Sequence, residues 1–128
     1  MTRARLQNAA VSYLQRFPSS TRHFRTIMRR KIERAEALCP NEDADYASWL
    51  GEIEVFCTQV GLLNDQALAE AIVRSQNRRG MAIRQIRQRL RLKGFEPECI
   101  EHGVRTLVET LETQDGINSD LYAALRYA

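Results

Sequence analysis

The sequence predicts an all-α protein built from tandem three-helix repeats of the helix-turn-helix type. Apolar residues recur at helical spacing along the chain, and no stretch alternates in the manner of a strand. The order of the elements also repeats, because Phe24 and Met28 recur as Ile86 and Leu90, 62 residues later, in each case inside a basic helix. The 128 residues include only six Gly and three Pro, so few positions force a helix to end.

The first repeat, predicted over residues 1–61, begins with a helix that ends before Pro18, since proline lacks the amide donor that a helix needs. The apolar residues of this helix are Leu6, Ala9, Ala10, Tyr13 and Leu14. A second helix fades near residue 38, can be capped by Ser19, Ser20 or Thr21, and is predicted to bury Phe24, Ile27 and Met28. A third helix starts near residue 43 and has Gly61 as its C-terminal cap. Its predicted apolar stripe is Trp49, Ile53, Phe56 and Val60.

The second repeat, predicted over residues 62–113, has the same order of helices. Asn64 or Asp65 can cap its first helix, and Gly80 interrupts the chain before its basic helix at residues 82–93. Gly94 is expected to end the basic helix, and Phe95 to fold back onto its last turn. Pro97 then suits the first turn of the last helix. The predicted inward residues of the three helices are Leu68, Ala71 and Ile72, then Ile83, Ile86 and Leu90, then Ile100, Val104, Leu107 and Leu111.

Residues 114–128 are predicted to begin a third repeat, with one short helix from residue 119 to residue 128. Their run of alanine, leucine and tyrosine near the chain end echoes the first helix of the first repeat. The expected architecture is therefore an elongated array of two complete repeats and a truncated third, in which neighbouring units offer an extended surface.

Positive side chains are concentrated in two blocks, although the net charge is only +3. The second block contains no acidic residue between Glu70 and Glu96. Arginine forks bind both carboxylates and phosphates, so an acidic or polyanionic partner is expected. Internal pairing with Glu70, Glu96 or Glu98 is the alternative, but these acids are too few to absorb all the arginines. The predicted partner- or nucleic-acid-binding residues are Arg22, Arg25, Arg29, Arg30, Lys31, Arg74, Arg78, Arg79, Arg84, Arg87, Arg89, Arg91 and Lys93.

The sequence contains no pattern of catalytic or metal-binding residues. His23 and His102 stand alone and are expected to be exposed polar residues. Cys39, Cys57 and Cys99 have neither the spacing of a metal site nor that of a disulfide framework, and Cys57 is expected to be half-buried. We therefore expect no enzyme, metal, cofactor or small-molecule substrate. No apolar run approaches the ~20 residues of a membrane span, so we expect a cytoplasmic protein with reduced thiols and no membrane partner.

The most distinctive part of the sequence joins an acidic turn, a helix, an Arg-Arg-Gly break and a basic helix. These segments are residues 61–65, 69–74, 78–80 and 83–95. They resemble the second repeat of the RecX family, and residues 9–31 look like its first repeat. The resemblance implies a modulator of RecA, the recombinase that coats single-stranded DNA, and it implies binding in the groove of the RecA filament. It also implies inhibition of recombinase and ATPase activity in DNA repair and the SOS response, a cytoplasmic location and no cofactor.

The sequence departs from the family pattern at two places besides the short third repeat. Lys31-Ile32-Glu33 stands where the first repeat of the family has a Lys-Gly-Phe type of turn, and Leu68 replaces an aromatic residue. A second hypothesis also remains open, namely a non-enzymatic protein that binds single- or double-stranded DNA directly through phosphate contacts. The direction of the effect on RecA does not follow from the residues themselves.

Overall fold

The computed structural model describes residues 1–114, and in that range it contains six α-helices and no strand. The helices are α1 (Arg3–Arg16), α2 (Thr21–Leu38), α3 (Tyr46–Gln59), α4 (Asp65–Arg78), α5 (Ile83–Leu92) and α6 (Pro97–Gln114). The chain divides into two compact units, Met1–Asn64 and a second that begins at Asp65, with three described helices in each. The predicted all-α class with helical repeats is confirmed. Within the described residues, no helix combines the length and apolarity needed to cross a membrane.

The predicted seventh helix, residues 119–128, and the predicted third repeat beyond residue 114 lie outside the described residues. The predicted repeat limits, residues 1–61, 62–113 and 114–128, stay predictions. Each of the two units has its own apolar core.

The core of the first unit lies between α1, α2 and α3. Phe24 and Met28 of α2 are fully buried, and Ile27 packs against this core half-buried. α2 begins at one of the predicted caps, because the Ser20 hydroxyl accepts a hydrogen bond of 3.2 Å from the amide of His23. The other buried residues of this core are Leu6, Ala10, Leu14, Leu50, Ile53, Cys57 and Leu63.

The predicted apolar stripe of the third helix is wrong in two of its four members. Phe56 and Val60 are 39% and 54% exposed, whereas Trp49 is half-buried and packs against the core. Val60 is already the C-cap of α3, so it cannot continue a helical stripe. Cys57 is fully buried, rather than half-buried as expected. The residues that α3 buries are Leu50, Ile53 and Cys57.

The basic helix of the first unit has 18 residues, whereas that of the second has ten. Gly94 ends α5 as predicted, with φ at +92°, and the Phe95 amide donates to the Leu90 carbonyl at 3.1 Å. With the offset of 62 residues, Ile32 stands where the second unit has Gly94. A β-branched residue strongly disfavours a positive φ, so α2 continues to Leu38. Part of the lengthened connection seen in the sequence is thus helix.

The second unit packs α6 closely against α4. Gly103 of α6 is buried, and a Cβ there would lie 3.2 Å from Cγ2 of Val73. Of the residues predicted to point inward from α4, Leu68 and Ile72 are only half-buried and Ala71 is exposed. The buried residues of α4 are Ala69, Val73 and Asn77. The inward residues predicted for α5 and α6 are buried, except that Leu111 is half-buried.

Candidate partner-binding surface

The basic helix α5 is held in the second unit by one apolar face. Ile83, Ile86 and Leu90 form that face, and at most 5% of the surface of each is exposed. Arg84 and Arg91 lie outside it and are exposed. Because the buried face fixes the helix, these arginines project from a rigid support.

The arginines of α5 have equivalents on α2. The offset of 62 residues that aligns the buried residues of the two helices also aligns their arginines, pairing Arg22 with Arg84, Arg25 with Arg87, and Arg29 with Arg91. Both helices therefore carry three arginines at the same positions relative to the core. We refer to Arg25 and Arg87 as the central arginines, and to the other four as the outer arginines: Arg22, Arg29, Arg84 and Arg91.

Each central arginine forms an ion pair with a glutamate on the third helix of its unit. Nε of Arg87 lies 2.9 Å from Oε1 of Glu101, and Nη2 donates to Oε2 at 3.2 Å. Nε of Arg25 donates to Oε2 of Glu54 at 2.8 Å, and its Nη2 donates to Oε1. The charge of both central arginines is thus offset internally. The acids involved are not the alternative partners that the sequence suggested: Glu70, Glu96 and Glu98.

The outer arginines are exposed, and within the described residues none of them takes part in an ion pair. In each unit, one outer arginine lies three residues before the central arginine and the other four residues after it. Positions spaced by three and four residues are neighbours on a helix surface. Among these three positions of each basic helix, one uncompensated guanidinium group therefore lies on either side of the compensated one.

The remaining predicted binding residues are distributed over both units. Lys31 is half-buried on α2, whereas Arg89 on α5 is exposed and its Nη1 donates to Oε1 of Gln76 at 3.5 Å. The other five are exposed, and they are Arg30, Arg74, Arg78, Arg79 and Lys93. Their part in binding stays a prediction.

The sequence patterns did not predict the contacts that Glu54, Glu101 and His102 make. His102 is not isolated, because its Nε2 lies 2.6 Å from Oε1 of Glu70, which joins α6 to α4. His23, by contrast, is exposed as expected. The 62-residue offset pairs the two central arginines. Glu54 and Glu101 occupy different positions on their helices, so no common spacing in the sequence predicts these glutamates.

A groove lies between α2 and α3 in the first unit. Arg29, Glu33 and Glu54 are among its charged residues, and its apolar residues include Ile32 and Leu50. The groove also borders Tyr46. A hydrogen bond with Glu36 raises the pKa of Tyr46 to about 12 and lowers the pKa of Glu36. This contact ties the last turns of α2 to the start of α3.

The cysteines form no reactive cluster in the described part of the chain. Cys57 is buried, which raises the pKa of its thiol, and burial also raises the pKa of Cys99. Cys39 is exposed. The described residues include no group of His, Cys, Asp or Glu that could hold a metal ion.

Comparison with known proteins agrees with this architecture. Residues 64–103 match the family model described as "RecX, second three-helix domain". The regulatory protein RecX of Myxococcus xanthus (strain DK1622) is 28% identical over 110 residues, which cover 86% of this chain and 59% of that protein. The chain is similar to the RecX family in these residues. The part matched to the RecX domain includes α4 and all of α5, and with them Arg84, Arg87 and Arg91.

The chain spans less than two thirds of the RecX protein that it matches. The RecX domain covers α4, α5 and the start of α6 in the second unit, whereas the similarity to the relative extends over 86% of the chain. The RecX match therefore covers the buried face of α5 and the arginines that it supports.

Proposed function

We propose that this chain binds the filament that RecA forms on single-stranded DNA and inhibits its ATP hydrolysis and recombinase activity. The observation that carries the proposal is the repeated set of outer arginines, which α2 and α5 present at equivalent positions over buried cores. The similarity to the regulatory protein RecX of Myxococcus xanthus supports a regulatory role. In this proposal the protein is not an enzyme, and it acts in the cytoplasm during DNA repair and the SOS response.

A repeated contact surface suits a repeated ligand. Two units with the same outer arginines can make the same contact twice if the partner offers the same acceptor at regular intervals. A filament of identical subunits wound on a polynucleotide offers such acceptors, both as carboxylates and as phosphates. Binding twice through linked units also raises the overall affinity beyond that of one unit.

The test is an ATPase titration with RecA on single-stranded DNA. Increasing amounts of the chain are added, in parallel with the variant Arg84→Glu/Arg91→Glu and with Arg105→Glu, which reverses another exposed arginine of the second unit. We expect the native chain and Arg105→Glu to slow ATP hydrolysis alike, and the double variant to require at least tenfold more protein, because each lost charge-assisted contact weakens binding. Full ATPase activity at saturating native protein would contradict the proposal.

Direct DNA binding is the second candidate, and the acid-free stretch between Glu70 and Glu96 favours it. Contacts to phosphates release counterions, so the affinity for a bare oligonucleotide would fall steeply with salt. Binding to the oligonucleotide that is as tight as binding to the RecA filament would favour this candidate. Weak binding to the oligonucleotide together with inhibition of RecA would favour the regulator.

A further inference from the structure

We propose that the central arginines, Arg25 and Arg87, are positioning residues, and that the outer arginines are the groups that bind oxyanions on the partner. This inference rests on the proposed function for the identity of the partner. The arginines of each basic helix thus have two different roles, and mutation of a positioning residue affects binding differently from mutation of a binding residue.

The first argument is the geometry of the central ion pairs. In the second unit, Nη2 of Arg87 donates to Oε2 of Glu101 at 3.2 Å, and Nε lies 2.9 Å from Oε1 without a hydrogen bond. Glu101 therefore lies along the edge of the guanidinium that would grip a partner carboxylate or phosphate. To contact the partner through that edge, Arg87 would have to give up Glu101, which would then lose its own compensation.

The central ion pair occurs in both units, but the glutamates that form it are at different positions. Arg25 and Arg87 share one position relative to the buried residues of their helices, but Glu54 is in the third turn of α3 and Glu101 is in the second turn of α6. The two units thus share the arrangement, a central arginine tied to the third helix, and not a copied acidic position. An arrangement reached by two routes points to a common mechanical role, which is to hold the basic helix against the third helix.

The outer arginines have the same spacing in both units. Arg84 and Arg91 are seven residues apart, and so are Arg22 and Arg29. With a rise of about 1.5 Å per residue, the two Cα atoms of each pair are separated by roughly 10 Å along the helix axis. Since the central charge is offset by its glutamate, the three aligned arginines of each unit offer two separate positive points. The ligand that fits is a pair of oxyanions at a comparable spacing.

The variant Glu101→Gln separates the two roles, because it releases Arg87 while keeping its charge. If Arg87 bound the partner directly, removal of a competing carboxylate would leave inhibition of the RecA ATPase unchanged or make it stronger. If Arg87 positions the helix, inhibition weakens, by roughly two- to fivefold for a partly exposed pair. Arg84→Ala is the reference for a true contact, with a loss of roughly tenfold or more.

Charge exchange provides the rescue. Arg87→Glu alone places a repelled carboxylate beside Glu101 and is expected to weaken inhibition strongly. The exchange Arg87→Glu/Glu101→Arg keeps the net charge and restores an ion pair between the same helices, so we expect inhibition within about threefold of the native chain, as for pairs whose coupling depends on proximity. Inhibition by the exchanged protein that is as poor as that of Arg87→Glu would overturn the proposal.

Two further measurements separate this proposal from the proposed function. A double-mutant cycle with Arg87→Ala and Glu101→Ala, followed by urea unfolding, needs no partner and must show favourable coupling. Absence of coupling would overturn the positioning role even if RecA is inhibited. If the native chain fails to affect RecA, the proposed function fails, and the same variants are then ranked on a single-stranded oligonucleotide at low salt. There, an affinity that decreases from the native chain to the exchanged protein and then to Arg87→Glu supports the positioning role. Equal losses of affinity for the exchanged protein and for Arg87→Glu overturn it.

Discussion

Alanine in place of Gly103 is expected to destabilise the second unit, whereas alanine in place of Gly51 is expected to stabilise the first. A Cβ on Gly103 would lie 3.2 Å from Cγ2 of Val73 and 3.4 Å from the backbone carbonyl of Ala69. Val73 is fully buried and the carbonyl belongs to α4, so neither can move aside easily. A Cβ on Gly51, in the interior of α3, would meet no atom within 4 Å.

Both substitutions gain the higher helix propensity of alanine, but only the one at Gly103 also introduces a close contact. Replacement of glycine by alanine inside a helix stabilises it by about 0.8–1.0 kcal/mol. A methyl group forced into a closely packed interface costs about 1–3 kcal/mol. The net expectation is that Gly51→Ala raises the free energy of unfolding by up to about 1 kcal/mol, and that Gly103→Ala lowers it by up to about 2 kcal/mol.

Urea unfolding of the full chain, followed by helical circular dichroism, measures both effects. Gly51→Ala serves as the matched control, because the chemical change is identical and only the surroundings differ. A rise in stability for Gly103→Ala equal to that for Gly51→Ala would refute the reasoning, since it would mean that α4 and α6 do not approach each other as closely as the structure shows.

The remaining predictions concern the support of the basic helix and one tyrosine. Leu90→Ala is expected to cost about 2–5 kcal/mol because Leu90 is fully buried, while Leu92→Ala on the same helix, 80% exposed in the native chain, should change the urea midpoint little. The raised pKa of Tyr46 means that its hydrogen bond with Glu36 stabilises the fold below pH 10, and that this contribution is lost as the pH rises from 10 toward 12. Absorbance titration should therefore find one tyrosine ionising near pH 12, and Glu36→Gln should bring that pKa down; an unchanged titration would contradict the contact.

The fold class followed from the sequence because helical periodicity and end signals agree over most of the chain. Ser20, Gly94 and Pro97 mark helix ends by their own chemistry, and the structure uses each of them as expected. The inward faces of α3 and α4 followed only in part, because apolar residues there occupy several adjacent positions. Phe56 next to Cys57 allows two registers, and only packing against the other helices decides that the smaller cysteine is the buried one.

The candidate surface was predictable as composition but not as arrangement. The sequence identifies the arginines and their 62-residue repeat, and buried residues such as Leu90 explain why they project outward. It does not reveal that Arg87 is tied to Glu101, because the pair joins two helices whose relative rotation depends on tertiary packing. The same reason applies to His102 and Glu70, which are 32 residues apart in the chain.

Binding to the RecA filament is proposed to depend on the outer arginines of both units. The most direct measurement is the affinity of the labelled chain for RecA assembled on single-stranded DNA, determined by fluorescence anisotropy for the native chain and two variants. One variant carries Glu at Arg5, Arg16 and Arg105, which are exposed arginines outside α2 and α5. The other carries Glu at all the outer arginines. The account predicts loss of binding only in the variant with reversed outer arginines; retained affinity in that variant, or an equal loss in both, would contradict it.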